Sequence, residues 1–158
     1  MIEQSDEALV RELGKQLTMV VAPKEAPHFD EIVDDHLEEA DAGDSDHPLG
    51  FGSEIMEIVS YALYDVAKKV VAYLLVAAAQ TAKDITKDVL KKELKPKLER
   101  WIASIITKQP VKIPPPVALS AEQITHLLAE VDRSLTQKRI KAATRLRVKE
   151  CLMTALQP

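Results

Sequence analysis

Several residue types are scarce in this chain, and each scarcity excludes something. Cys151 is the single cysteine among 158 residues, so neither an internal disulfide nor a multi-thiolate zinc site can form. Four glycines serve the whole chain and aromatic residues make up 4% of it, which disfavours a many-stranded sheet protein. The longest uninterrupted apolar run, Val70 to Ala79, has ten residues, half of the ~20 that a spanning helix needs. The opening stretch MIEQSDEALVREL is acidic and lacks the basic-then-apolar order of a signal peptide. Phosphate-cradling loops of the G-x-x-x-x-G-K or G-x-G-x-x-G kind are missing, as is the G-x-S-x-G nucleophile turn. A cytoplasmic, non-enzymatic protein without cofactor or metal is the expectation.

What is present is apolar periodicity. Leu9, Val10, Leu13, Leu17 and Val20 predict a helix from Asp6 to Val21, with Ser5 as its cap and Pro23 as its stop. A second helix is expected from Pro27, burying Phe29, Ile32, Val33, Leu37 and Ala40. After a loop at Asp41 to Gly52, helical spacing continues from Ser53 to Leu94 without glycine or proline. If unbroken, that helix has about 40 residues and spans about 60 Å; the polar stretch Gln80 to Asp84 is a candidate break. A shorter helix follows Pro96, then the stiff segment QPVKIPPP. Ser120 and Gln123 form a capping box ahead of the stripe Ile124, Leu127, Leu128, Val131 and Leu135. A last helix is expected over Thr136 to Ala155, with Ile140, Ala143, Val148, Cys151 and Leu152 inward. The predicted fold is all-α: a bundle around one long central helix, with a C-terminal helical hairpin. Its units are 1–52, an acidic helical segment and loop; 53–109, the apolar and basic helices; 110–116, the proline linker; and 117–158, the hairpin.

Charge is unevenly distributed. Met1 to Glu54 carries 15 acidic and 3 basic residues, whereas Lys83 to Lys112 carries 9 basic and 4 acidic. Opposed blocks of this kind attract each other or oppositely charged partners.

LVREL, VAPKEAPHFDEI, PLGFG ahead of the apolar helix, and ALSAEQI follow one another in the chain. In that order they resemble a family of small helical bacterial proteins to which no activity is assigned. The resemblance implies a component of a conflict or defence locus. Asp65, Lys68 and Lys69 depart from the family's pattern by placing charge in the apolar helix, which weighs against a membrane role for it.

Candidate sites are weighed against plainer readings. Asp30, Asp34 and Glu38 share a helical face near His36, but no second ligand motif accompanies them, so a solvated acidic face is expected rather than a metal site. Asp41, Asp44 and Asp46 lack the glutamate of a calcium hand twelve positions on and are read as a charged connector or, more sharply, as a regulatory or cleavable loop. The basic last helix (Lys138, Arg139, Lys141, Arg145, Arg147, Lys149) is expected to be a solvated face, and nucleic acid is not an expected partner. The sharpest feature joins Val70, Tyr73, Leu74 and Ala77 to Lys83, Lys87, Lys91 and Trp101, an apolar helix followed by a lysine-rich one. The plainer reading is the central core helix of the bundle with a solvated, charged extension; on the sharper one these residues form a partner face or a membrane face. The chain is thus expected to be an interaction protein that docks on a protein partner or on itself. The alternative is a membrane-active effector, held inactive by its acidic N-terminal segment and associating with a membrane once activated.

Overall fold

The computed structural model describes residues 4–41, 59–81, 86–105 and 113–157. The helices are α1 (Gln4–Val21), α2 (Phe29–Asp41), α3 (Ser60–Thr81), α4 (Lys87–Ser104), α5 (Ala121–Gln137) and α6 (Ala142–Leu156), with a 3-10 turn, Ala26–His28, before α2. No strand occurs among the described residues, and the helices pack as a bundle.

α3 is the centre. It is the most apolar helix of the bundle, and α1, α2, α4 and α5 all pack against it. Its inward residues Leu63, Val66, Val70 and Leu74 are at most 1% exposed. Leu13 and Leu17 of α1, Phe29 and Val33 of α2, Leu98 and Trp101 of α4, and Leu127 and Val131 of α5 join the same hydrophobic cluster. Each such side chain contributes about 1.5–3 kcal/mol on burial, so one core running through the N-terminal segment, the centre and the C-terminal hairpin dominates stability.

Several expected boundaries move. α1 already includes Gln4, so Ser5 lies inside the helix and is not its cap. Pro27 sits in the 3-10 turn, and α2 starts two residues later. The central helix has 22 residues, not about 40. Val59 is not helical and α3 begins at Ser60, because the buried Glu25 carboxylate accepts the Val59 and Ser60 amides and the Ser60 hydroxyl at 2.7–3.2 Å. At the other end, the Thr81 hydroxyl donates back to Ala77 and Ala78, and Thr86, in extended conformation, caps a new helix by accepting from Val89. Pro96 does not divide the chain; α4 runs through it. Leu90, Leu94, Leu98, Trp101 and Ile102 form one buried stripe on both sides of the proline, and that packing outweighs the backbone bond Pro96 cannot make.

The C-terminal hairpin is present, with its turn later than expected. α5 keeps Thr136, and the chain reverses at Lys138 to Lys141. Arg139 is left-handed at φ 60°, where glycine would be usual. Its amide reaches Thr136 and that of Ile140 reaches Leu135, both at 3.0 Å, closing a Schellman motif over two buried apolar residues. Ser120 and Gln123 form the expected capping box at the start of α5. Ala143, expected inward, is exposed.

Candidate interaction surfaces

α1 has a single basic cluster that organises the acidic segment. Arg11 donates to Glu7 at 3.0 Å, Asp30 at 3.1 Å and Asp34 at 2.7 Å, while Lys15 reaches Asp30 at 3.0 Å. Burial lowers the Arg11 pKa, but the hydrogen bonds it donates to Asp34, Asp30 and Glu7 outweigh that and raise it. Burial likewise pushes Asp30 up, yet hydrogen bonds from Lys15 and Arg11 win and hold it below the ordinary aspartate value. The acidic α2 face is therefore partly neutralised by its own neighbour. Glu31, Asp35 and Glu38 remain exposed. The His36 ring stacks on Tyr61 with centroids 4.3 Å apart.

Tyr64 ties α3 to α1. Its hydroxyl donates to both Glu7 oxygens at 2.7 and 2.8 Å, with Arg11 and Lys68 near its ring. Burial, then the bond to Glu7, pushes the phenol up to about 12. The attraction expected between the acidic block and the basic stretch from Lys83 onward is represented by Lys91 and Asp6 at 3.3 Å.

Arg139, Lys141 and Arg147 are exposed, in keeping with a solvated basic face, while Lys138, Arg145 and Lys149 are half-buried and paired. Lys138 pairs with Asp65 at 2.6 Å, and Arg145 and Lys149 pair with Asp132 at 3.3 and 3.1 Å. The Lys149 hydrogen bond holds Asp132 below the ordinary aspartate value. Arg147 donates to the Val20 and Val21 carbonyls at 2.7 and 3.2 Å, closing the C-terminus of α1. Asp65 and Lys68, charges that stood out in the apolar helix, lie 4.0 Å apart and partly exposed on α3.

The residues expected to form one partner or membrane face separate on folding. Val70, Leu74 and Ala77 are buried beneath neighbouring helices. Tyr73 is half-buried, 6.1 Å from the His126 ring. Trp101 is 1% exposed and its indole N–H donates to the Ala155 carbonyl at 2.9 Å, so it holds α4 to α6 and does not face outward. Lys91 is at the α1–α4 junction and Lys87 opens α4. Asp41 ends α2; Asp44, Asp46 and Lys83 lie outside the described residues. Cys151 is half-buried, and burial raises its thiol pKa, which favours the unreactive protonated form.

What remains outward on α4 is basic. Lys92, Lys95, Lys97 and Arg100 are exposed, with Asp88, Glu93 and Glu99 interspersed. Lys91, Lys92 and Lys95 overlook a groove of about 330 Å³ whose other walls include Leu9, Leu75 and Leu98. Sequence reasoning missed Leu9 and Leu75 as parts of a surface because the groove exists only once α1 lies along α4. It missed the role of Glu25 because that carboxylate acts on amides 34 and 35 residues away. Among the described residues, no group of three or more histidine, cysteine, aspartate or glutamate side chains could hold a metal ion, and no helix is long and apolar enough to cross a membrane. Comparison of the chain with family models, curated proteins and solved structures finds no match to any of them.

Proposed function

We propose that this chain is a non-enzymatic helical interaction protein, an accessory or effector component of a bacterial defence system, that docks partners through separately charged helix faces. One observation carries this reading. The exposed acids of α2 (Glu31, Asp35, Glu38) and the exposed bases of α4 (Lys92, Lys95, Lys97, Arg100) lie on different helices fixed to one core. Such faces steer association and reject like-charged partners. The defence setting rests on the resemblance carried by PLGFG and the helix behind it.

The test is affinity capture of a partner from the source cells with the full chain. Two charge-reversed forms accompany it, Glu31→Lys/Asp35→Lys/Glu38→Lys and Lys92→Glu/Lys97→Glu/Arg100→Glu. A discrete partner is expected with the unaltered chain, lost with one of the reversed forms, and weakened in 1 M salt, where the Debye length is ~3 Å. Capture that ignores both reversals and salt, or no partner at all, would defeat the reading.

A second reading has its own support. α1 and α2 both pack against α3, as an inhibitory segment would. Deleting residues 1–52 separates the two. The interaction reading expects the shortened chain to aggregate or lose its partner while anionic vesicles stay intact. Dye leakage from those vesicles that vanishes in Leu74→Asp/Leu75→Asp would favour the membrane-active effector instead.

A further inference from the structure

The groove between α1 and α4 combines two kinds of surface. Its floor is apolar: Leu9 and Leu98 are 5% and 1% exposed, and Leu75 is half-buried. Its rim is cationic. Lys92 and Lys95 are exposed and have no ion-pair partner among the described residues. Of the two acids that also line it, Asp6 is taken by Lys91 at 3.3 Å, and Asp88 stands in the first turn of α4, where the helix dipole favours it. An apolar floor beneath lysines that have no ion-pair partner among the described residues is complementary to a ligand that carries apolar and anionic groups side by side.

Resting on the interaction reading above, we propose that this groove binds an acidic peptide segment of a protein partner. The segment seats one large apolar side chain on the leucines and sets flanking carboxylates against Lys92 and Lys95. Its volume of about 330 Å³ lies at the low end of the ~300–1,000 Å³ typical of ligand pockets, room for a side chain or two.

The pattern around the groove distinguishes a peptide from other anionic ligands. Asp88, Lys92, Lys95 and Glu99 are spaced so that they share one flank of α4, with the two lysines bracketed by an acid on either side. A lipid surface offers uniform negative charge and would meet Asp88 and Glu99 with repulsion. A polypeptide can change sign from residue to residue. A second copy of this chain fits less well, because the acidic helix it would offer, α2, has its large apolar residues Phe29 and Val33 buried in its own core.

The experiment is a selection of short random peptides on the immobilised full chain, followed by fluorescence polarisation with the selected sequences. Peptides with aspartate or glutamate beside leucine or phenylalanine are expected to be enriched. Their affinity should fall at least about tenfold in Lys92→Glu/Lys95→Glu, whose surface positions leave the core intact, and should fall with salt. Circular dichroism confirms that the variant is folded. Failure to enrich acidic-apolar peptides, or binding indifferent to the double substitution, overturns the proposal. So does a full chain that binds phosphatidylserine vesicles through Lys92 and Lys95. If no acidic peptide is selected while partner capture depends on the α2 acids alone, the groove assignment falls and the interaction reading stands. If capture fails altogether, the broader reading falls with it.

Discussion

At the residue scale, Glu25 joins chain segments that no local pattern connects. Its buried carboxylate takes two backbone amides and a hydroxyl at the start of α3, a helix N-terminus whose orphan donors would otherwise be buried without partners. Glu25→Ala removes the acceptor and leaves those donors unsatisfied, so a loss of about 1–3 kcal/mol is expected. Urea denaturation checks it, with Ser60→Ala as the comparison that loses only the hydroxyl bond. A Glu25→Ala chain as stable as the unaltered one would mean that water or another group caps α3. Gly14 shows a different constraint: a Cβ there would lie 2.7 Å from Cζ of Phe29, a fully buried ring, so the glycine permits α1 and α2 to approach.

At the scale of elements, two backbone features run against local preference and persist because packing outweighs them. Pro96 interrupts the hydrogen-bond ladder of α4, and Arg139 occupies a left-handed position. Pro96→Ala is expected to stabilise the fold by about 1–3 kcal/mol, and Arg139→Gly by up to about 1 kcal/mol. Thermal melts followed at the helical circular dichroism signal measure both. A destabilised Pro96→Ala chain would mean that the proline ring itself contributes to the packing of α4. These same features mark where the sequence misleads. The helical class, the capping box and the stripes of α1 and α5 are legible because each depends on neighbours within a turn or two. The ends of α3 are not, since Glu25 sets one end from another segment. Pro96 and the absence of a turn glycine at Arg139 are ordinary breaking signals, overruled by Leu90 to Ile102 and by the Leu135 to Ile140 contact. Of the surface, the lysine-rich run was legible, as was the core role of Val70 and Leu74; the tie of Trp101 to Ala155 was not, because spacing along one helix does not say which neighbours will cover it.

For the whole molecule, charge sets the range of pH over which the bundle holds. Asp30 and Asp132 have their pKa values lowered by lysine and arginine partners, so each contributes stability above its ordinary value of about 3.9 that disappears as pH falls through the lowered one. Tyr64 is raised, so its contribution is complete below the ordinary 10.0 and is lost as pH rises through about 12. Urea midpoints should therefore decline at both extremes. Asp30→Asn/Asp132→Asn should flatten the acid limb and Tyr64→Phe the alkaline one; unchanged limbs would mean these groups titrate alike in folded and unfolded chains. The arrangement also has a history in time. Arg147 closes the end of α1 from 126 residues away, at Val21. During synthesis at ~5–20 residues per second, roughly 6–25 s separate the emergence of those carbonyls from that of the side chain that caps them. Until then the first helix ends in water, and the nascent chain must keep its Leu13 and Leu17 stripe from other company.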